Sequence, residues 1–139
     1  MRRGEFSIQN LTRAAVPGFP FERIKDDILG PGYDLSLALV GEAMSRALNK
    51  RYRGKDRPTN VLSFPYSDRG GELVLCPAVI RRESKNPDKN FGKTYAPLFL
   101  FLIIHGMLHL KGMDHGKKME GMEEFYCTKY LSRTKSSRK

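Results

Sequence analysis

The chain has 139 residues, of which 40% are hydrophobic, so it is long enough for one domain with a core of its own. Its two cysteines are too few for a fold built on disulfides. Its 25 lysines and arginines against 15 aspartates and glutamates give a net charge of +10, which favours nucleic acid or, as the alternative, an anionic membrane surface.

The first half of the chain alternates between strand-like and helix-like patterns. Residues 5–9 alternate weakly, as in an edge strand, and residues 21–29 have a helical spacing that stops at Gly30. Apolar or small residues occupy both faces of residues 33–40, which predicts a strand covered on both sides. Helical spacing over residues 42–53 follows, so the order indicates a βα unit.

The middle of the chain predicts an antiparallel pair of strands. A polar loop, residues 54–60, precedes a short strand over residues 61–64 that Pro65 is expected to end. A brief turn leads to a strand over residues 72–76, and so short a connection favours antiparallel pairing. Residues 81–93 are mostly polar and charged, which is typical of a solvated helix end and a loop.

The last third predicts a central helix. Thr94 suits its N-cap and Pro97 its first turn, and residues 98–104 are apolar on all sides, as in a helix buried in the middle of a domain. An amphipathic helix that includes Tyr130 follows Gly112.

Together these elements predict an α/β (α+β) fold in which a small mixed sheet of about four strands packs with helices. We expect one catalytic domain over residues 1–131 and a basic, flexible tail over residues 132–139. The apolar run 98–104 is too short to cross a bilayer and no signal-peptide pattern is present, so we expect a cytoplasmic protein without a membrane partner. Cys76 and Cys127 lie in apolar stretches and are predicted to be reduced core thiols.

All three histidines of the chain, His105, His109 and His115, fall within eleven residues. The first two stack on one face of a helix, and Gly112 allows a left-handed turn that returns the third toward them. Three imidazoles that converge on one point are the ligands of a catalytic-type zinc site with an open fourth position. Such a metal lowers the pKa of bound water to roughly 7 and can polarise a phosphoryl oxygen. We therefore predict one Zn²⁺ per chain.

The histidine spacing is also that of the metzincin peptidases. Those enzymes place a glutamate, their general base, directly after the first histidine, where this chain has Gly106. A metallopeptidase is therefore the least favoured interpretation. Asp114 is a candidate to orient a ligand imidazole, with a solvent-facing turn residue as the alternative.

A second cluster places four cations within seven residues: Arg51, Arg53, Lys55 and Arg57. It is either a solvated helix end or a phosphate-binding segment. The arginine fork matches phosphate oxygens, and Pro58 makes the connection rigid. A metal and an arginine that face one groove can neutralise a phosphodiester transition state from two sides.

Two motifs together resemble the bacterial YbeY family. They are RGKDRPTNVLSFP at residues 53–65 and HGMLHLKGMDH at residues 105–115, and the resemblance extends over about residues 35–130. It implies a metal-dependent endoribonuclease of rRNA maturation and ribosome quality control, with rRNA and the ribosome as partners.

The resemblance also implies site residues: His105, His109 and His115 as zinc ligands and Arg53 as the functionally important arginine. Glu72 stands where the family usually has aspartate, and the tract 81–93 departs from the family in composition. Neither is therefore assigned an RNA contact.

Two functions compete. In a zinc-dependent single-strand endoribonuclease, Arg51, Lys55 and Arg57 would contact phosphates, and binding would weaken steeply with salt. In a non-catalytic RNA or ribosome-assembly factor, the zinc would be structural and Cys76 or Cys127 would close its coordination. For the enzyme, metal-bound hydroxide, a loop carboxylate and the RNA's own 2′-hydroxyl all stay open as the base.

Overall fold

A computed structural model describes the backbone of residues 2–137 and the side chains of residues 2–131. The elements in chain order are β1 (Phe6–Asn10), α1 (Phe21–Ile28), β2 (Asp34–Leu39), α2 (Glu42–Arg53), β3 (Val61–Ser67), β4 (Gly70–Leu75), α3 (Pro77–Ser84), α4 (Tyr95–Leu110) and α5 (Lys117–Ser137). The predicted α/β class with a small mixed sheet is confirmed.

The sheet has four strands in the order β1-β2-β4-β3. The first three are parallel neighbours, and β3 pairs with β4 in antiparallel orientation, as the short turn predicted. The prediction that Pro65 ends its strand was wrong, because β3 continues to Ser67. β3 is an edge strand, where a residue without an N–H is tolerated, and its register is irregular between these two residues.

Strand β2 contributes side chains to a core on each face of the sheet. Leu35, Leu37 and Leu39 join the main core, which α1, α3, α4 and α5 also build. Ala38 and Val40 belong to a smaller core on the other face, which also includes Leu62 and Val74, with Leu48 of α2 packed against it. Burial on both faces explains why the sequence of this strand shows no polar side.

Helix α4 lies in the middle of the molecule and contacts α1, α3, α5, β3 and β4. Most of its apolar run, including Leu98, Phe99 and Ile103, is buried in the main core, and Phe101 is half-buried. Thr94 occupies the N-cap position, as predicted, although its side chain makes no capping hydrogen bond. The C-terminal turns of α4 therefore stand on a rigid base.

Two segments differ from, or extend beyond, the predicted pattern. The sequence suggested only a helix end near residue 81, whereas α3 begins at Pro77, and its apolar residues Val79 and Ile80 are buried. Helix α5 continues to Ser137, but the side chains of the predicted tail, 132–139, lie outside the described residues.

Within residues 2–137, no helix combines the length and the apolar character needed to cross a membrane.

Candidate metal centre

Helix α4 presents His105 and His109 on one face, one turn apart, near its C-terminal end. Their Nε2 atoms are 3.1 Å apart, and their ring centroids are 4.5 Å apart. Both side chains are partly exposed, whereas Leu108 between them is buried. The buried side of the helix thus fixes the positions from which the two imidazoles project.

The loop after α4 returns His115 to the same point. Gly112 has a φ of +100°, a conformation that favours glycine, and its N–H donates to the carbonyl of His109 at 2.9 Å. The ring centroid of His115 lies 5.1 Å from that of His105 and 4.6 Å from that of His109. One ring nitrogen from each histidine lies within 4.8 Å of the others, so the three are positioned to bind a metal ion.

Two hydrogen-bond acceptors fix the orientation of the imidazole rings of His105 and His109 through their Nδ1 atoms. His105 Nδ1 lies 2.5 Å from Oε2 of Glu123, a buried residue of α5, and His109 Nδ1 lies 3.1 Å from the carbonyl oxygen of Met113. The carbonyl oxygen of Met113 can only accept, so His109 Nδ1 carries the proton and donates it, and the carboxylate of Glu123 is placed to accept from His105 Nδ1 in the same way. This tautomer leaves both Nε2 lone pairs free and directed at the metal position.

The electrostatics of this arrangement favour a cation. The Nε2 atoms of His105 and His109 lie only 3.1 Å apart, so one cation between them could contact both ring nitrogens. Burial lowers the pKa of His109, and the neighbouring His105 lowers it further. The imidazole is therefore neutral at neutral pH, which is the form that binds a metal.

The ligand set contains no sulfur. Among residues 2–131, the converging group consists of the three histidines, with neither a cysteine nor a carboxylate. Cys76 and Cys127 are free and buried, as predicted. Three protein ligands without a fourth are typical of a catalytic metal site rather than a structural one.

The three histidines open onto a cleft of about 1050 Å³. The same cleft is also lined by residues 59–65, which include most of β3, and by Tyr52 and Arg53 at the end of α2. The structure thus brings Arg53 and the histidines to one cleft, although Arg53 and His105 are 52 positions apart in the sequence.

Two buried polar residues of α2 fix the loop that follows Arg53. Ser45 Oγ accepts from the N–H of Thr59 at 2.9 Å and donates to its carbonyl at 3.0 Å, and Asn49 Nδ2 donates to the carbonyl of Arg57 at 2.8 Å. Sequence reasoning missed both residues. Their spacing of four on a helix next to a loop was the available signal.

Comparison with known proteins identifies the family to which this fold and site belong. The family model for endoribonuclease YbeY matches residues 5–131. The chain belongs to the YbeY family. The resemblance found in the two motifs is thereby confirmed over nearly the whole chain.

Individual relatives agree with this assignment. The chain is 46% identical over 93 residues to an endoribonuclease YbeY of Aromatoleum aromaticum, a match that covers 65% of this chain and 58% of the relative. An endoribonuclease YbeY of Alteromonas mediterranea is 40% identical over 102 residues, covering 65% of this chain and 62% of the relative. The chain thus spans about three fifths of the length of these relatives.

A solved structure has the same fold. The solution structure of TM1509 from Thermotoga maritima superposes with a TM-score of 0.67 at 26% identity. The match covers 95% of this chain and 93% of that chain.

The four cations of residues 51–57 occupy two different places. All four are exposed, but Arg53 lines the cleft, whereas Arg51, Lys55 and Arg57 lie outside its lining. The guanidinium of Arg51 lies 5.5 Å from the centre of the Tyr52 ring. The cluster predicted from the sequence therefore separates into one cleft residue and three residues on the nearby surface.

Two acidic candidates from the sequence lie away from the histidine nitrogens. Asp114 is exposed, and the positions behind His105 and His109 are taken by Glu123 and by the carbonyl of Met113. Glu72 lies on β4 and does not line the cleft. The sequence alone pointed to neither the position nor the role of Glu123.

The glycine that distinguishes this YbeY chain from the metzincins faces the sheet. A Cβ at Gly106 would lie 2.7 Å from Cδ2 of Leu73 and 3.3 Å from Oγ of Ser63. A glutamate at this position has no room and no path into the cleft, because Leu73 is completely buried. Both the composition and the packing of this helix exclude the peptidase base.

Proposed function

We propose that this chain is a zinc-dependent, single-strand endoribonuclease that acts in rRNA maturation and ribosome quality control in the cytoplasm. The observation that carries the proposal is the shared cleft, which Arg53 lines together with His105, His109 and His115. Membership of the YbeY family supports RNA as the substrate. The net charge of +10 supports a polyanionic partner independently of the family.

The donor set fits zinc. Zinc binds imidazole nitrogens at about 2.0–2.1 Å, which places two ligand nitrogens of a tetrahedral site roughly 3.3 Å apart. The Nε2 atoms of His105 and His109 are 3.1 Å apart. The hydrogen bonds from Nδ1 to Glu123 and to Met113 are the supports that metal-bound histidines usually have.

The protein's own residues would bind and orient the RNA. Zinc, when bound, supplies Lewis acidity toward a phosphoryl oxygen and makes water more acidic. The guanidinium of Arg53 would hold the scissile phosphate against this centre and neutralise charge that develops on its oxygens. Arg51, Lys55 and Arg57 would contact phosphates farther along the strand.

The ends of the products identify the nucleophile that attacks the phosphodiester. Gly106 supplies no carboxylate, so external water or the 2′-hydroxyl of the RNA is the nucleophile to distinguish. Product ends from a defined single-stranded RNA separate the two: a 2′,3′-cyclic phosphate indicates internal attack, and a 5′-phosphate indicates hydrolysis by water.

The proposal is tested by Arg53→Ala in zinc-loaded protein. We expect cleavage of single-stranded RNA to fall about 100-fold or more, the size typical for loss of a group that stabilises transition-state charge. Zinc content should remain at one ion per chain, because Arg53 is not a ligand. Arg53→Lys keeps the charge but loses the planar fork, so its activity should lie between the two.

Arg23→Ala serves as the control, since this arginine is exposed on α1 and does not line the cleft. Its cleavage rate should equal that of the unchanged protein. Equal rates for Arg53→Ala and Arg23→Ala in rigorously purified protein would contradict the proposed role of Arg53. Absence of cleavage by the zinc-loaded, unchanged protein would contradict the enzymatic function itself.

A further inference from the structure

Phe91 has a backbone and an exposure that are unusual for a phenylalanine. Its φ is +53°, in the left-handed region, and 68% of the surface of this residue is exposed. A bulky residue rarely adopts this backbone, and strained residues of this kind concentrate where a protein holds a ligand. Phe91 also lines the cleft that contains the three histidines.

The turn around Phe91 is held in place by the neighbouring Asn90. The Nδ2 group of Asn90 donates to the carbonyl of Ser84 at 2.9 Å, and its Oδ1 accepts from the N–H of Gly92 at 2.8 Å. These two bonds tie the segment on both sides of Phe91 to the end of α3. The exposed ring is therefore presented by an organised turn.

Two aromatic contacts in series connect Phe91 to the metal centre. Its ring centroid lies 5.1 Å from that of Phe101 at an angle of 44°, and Phe101 stacks on His105 at 6.0 Å and 29°. The contact with Phe101 anchors one part of the Phe91 ring and leaves the rest open to solvent. An aromatic surface thus lies one ring away from a metal ligand.

Cations and a second aromatic pair surround the same cleft. The Nζ atom of Lys93 lies 5.5 Å from the centre of the ring of Phe101, which lines the cleft, and Arg53 lines the same cleft. The exposed Tyr52, which also lines the cleft, packs edge-on against Phe64 at 5.1 Å. Aromatic faces next to cations are the combination by which proteins bind single-stranded nucleic acids.

We propose that Phe91 is a stacking platform for one nucleobase of single-stranded RNA, next to the phosphate at the metal centre. This inference rests on the proposed function and names a subsite for it. A base inside a duplex is covered on both faces and cannot stack on the ring, so the platform selects unpaired RNA. Lys93 is placed to contact a phosphate of the stacked nucleotide.

The test compares two substitutions at this position by rapid-mixing fluorescence anisotropy with a labelled, single-stranded RNA oligonucleotide. Phe91→Asn removes the ring and keeps a residue that tolerates the left-handed backbone. It should weaken RNA binding about 5- to 100-fold, the range for loss of one stacked base. Phe91→Trp keeps an aromatic face and should bind within about 2-fold of the unchanged protein.

Phe125→Ala is the matched control, because Phe125 is also a largely exposed phenylalanine, at 59%, but lies outside the cleft. Its RNA affinity should be unchanged. Zinc content and melting temperature of each variant show that the fold and the metal centre are intact.

Oligonucleotides with one abasic site at successive positions complete the test. In the unchanged protein one position should lose affinity, and in Phe91→Asn that position should cause no further loss. Equal RNA affinity for Phe91→Asn and the unchanged protein would overturn the platform while leaving the enzyme proposal standing. Failure of the unchanged protein to bind single-stranded RNA would overturn both.

Discussion

At the scale of single residues, the metal centre depends on side chains that do not touch the metal position. Glu123 accepts from His105 at 2.5 Å, and this bond selects the ring tautomer whose Nε2 is free. Glu123 is 8% exposed, so its carboxylate also brings a negative charge close to the ligands in a partly buried place. Its contribution is to orient the ring of His105.

Glu123→Gln should therefore weaken metal binding about 10- to 100-fold. The amide keeps the shape of the side chain but loses the charge that favours a donating Nδ1. Competition with a chelator measures the effect on affinity. The control is Glu124→Gln on the exposed side of the same helix, which should leave metal affinity unchanged. Equal affinities of the two variants would show that Glu123 has no role in holding the ligand.

At the scale of elements, α4 combines a buried apolar helix with two metal ligands. Helix α4 can approach β4 closely because Gly106 has no side chain that would collide with Leu73 of β4. The hydroxyl of Ser63 on β3 donates to the carbonyl of Gly106 at 3.4 Å. This close contact places the turn that carries His105 and His109 against the sheet.

Gly106→Ala should lower the free energy of unfolding by about 1 kcal/mol, because overpacking against Leu73 costs more than the gain in helix propensity. Gly121→Ala on α5 is the matched control: an added Cβ meets nothing within 4 Å there, so it should stabilise the protein by up to about 1 kcal/mol. Denaturant unfolding of both variants measures the difference. Stabilisation by Gly106→Ala would contradict the packing argument.

At the scale of the whole molecule, the net charge of +10 predicts that RNA binding depends strongly on ionic strength. The exposed cations Arg51, Lys55 and Arg57 follow Arg53 of the cleft wall, so a strand leaving the cleft on this side would pass near them. Their contribution would be additive and independent of RNA sequence, since phosphate contacts carry no base information.

Replacing Arg51, Lys55 and Arg57 together by glutamine should reduce the slope of log affinity against log salt by about 2, at roughly 0.7 per lost contact with single-stranded RNA. Binding measured over a series of salt concentrations gives this slope. Replacing Arg13 and Arg23, two exposed arginines outside the cleft, should leave it nearly unchanged. Identical slopes for the two variants would mean that the first cluster is only a solvated surface.

The sequence alone determined most elements and the three histidines that converge at the candidate metal centre. The run around Phe99 fixes α4 as a buried helix, since apolar residues on all sides are stable only in the core. The spacing of His105, His109 and Gly112 is a local property of a helix and its end, so it could be predicted without knowing the rest of the fold. The prediction that Pro65 ends its strand failed because a proline is tolerated in an edge strand, and the sequence alone does not show that β3 lies at the edge of the sheet.

Only the tertiary structure decided which distant residues complete the site. Glu123 reaches His105 because α5 packs on α4, Arg53 meets the cleft because α2 ends beside β3, and Phe91 lies over Phe101 because a turn brings it there. These partners are separated in sequence, and no local pattern encodes their distance. The packing of the helices on the sheet sets that distance, and it places Arg53 and Phe91 in the same cleft as the three histidines.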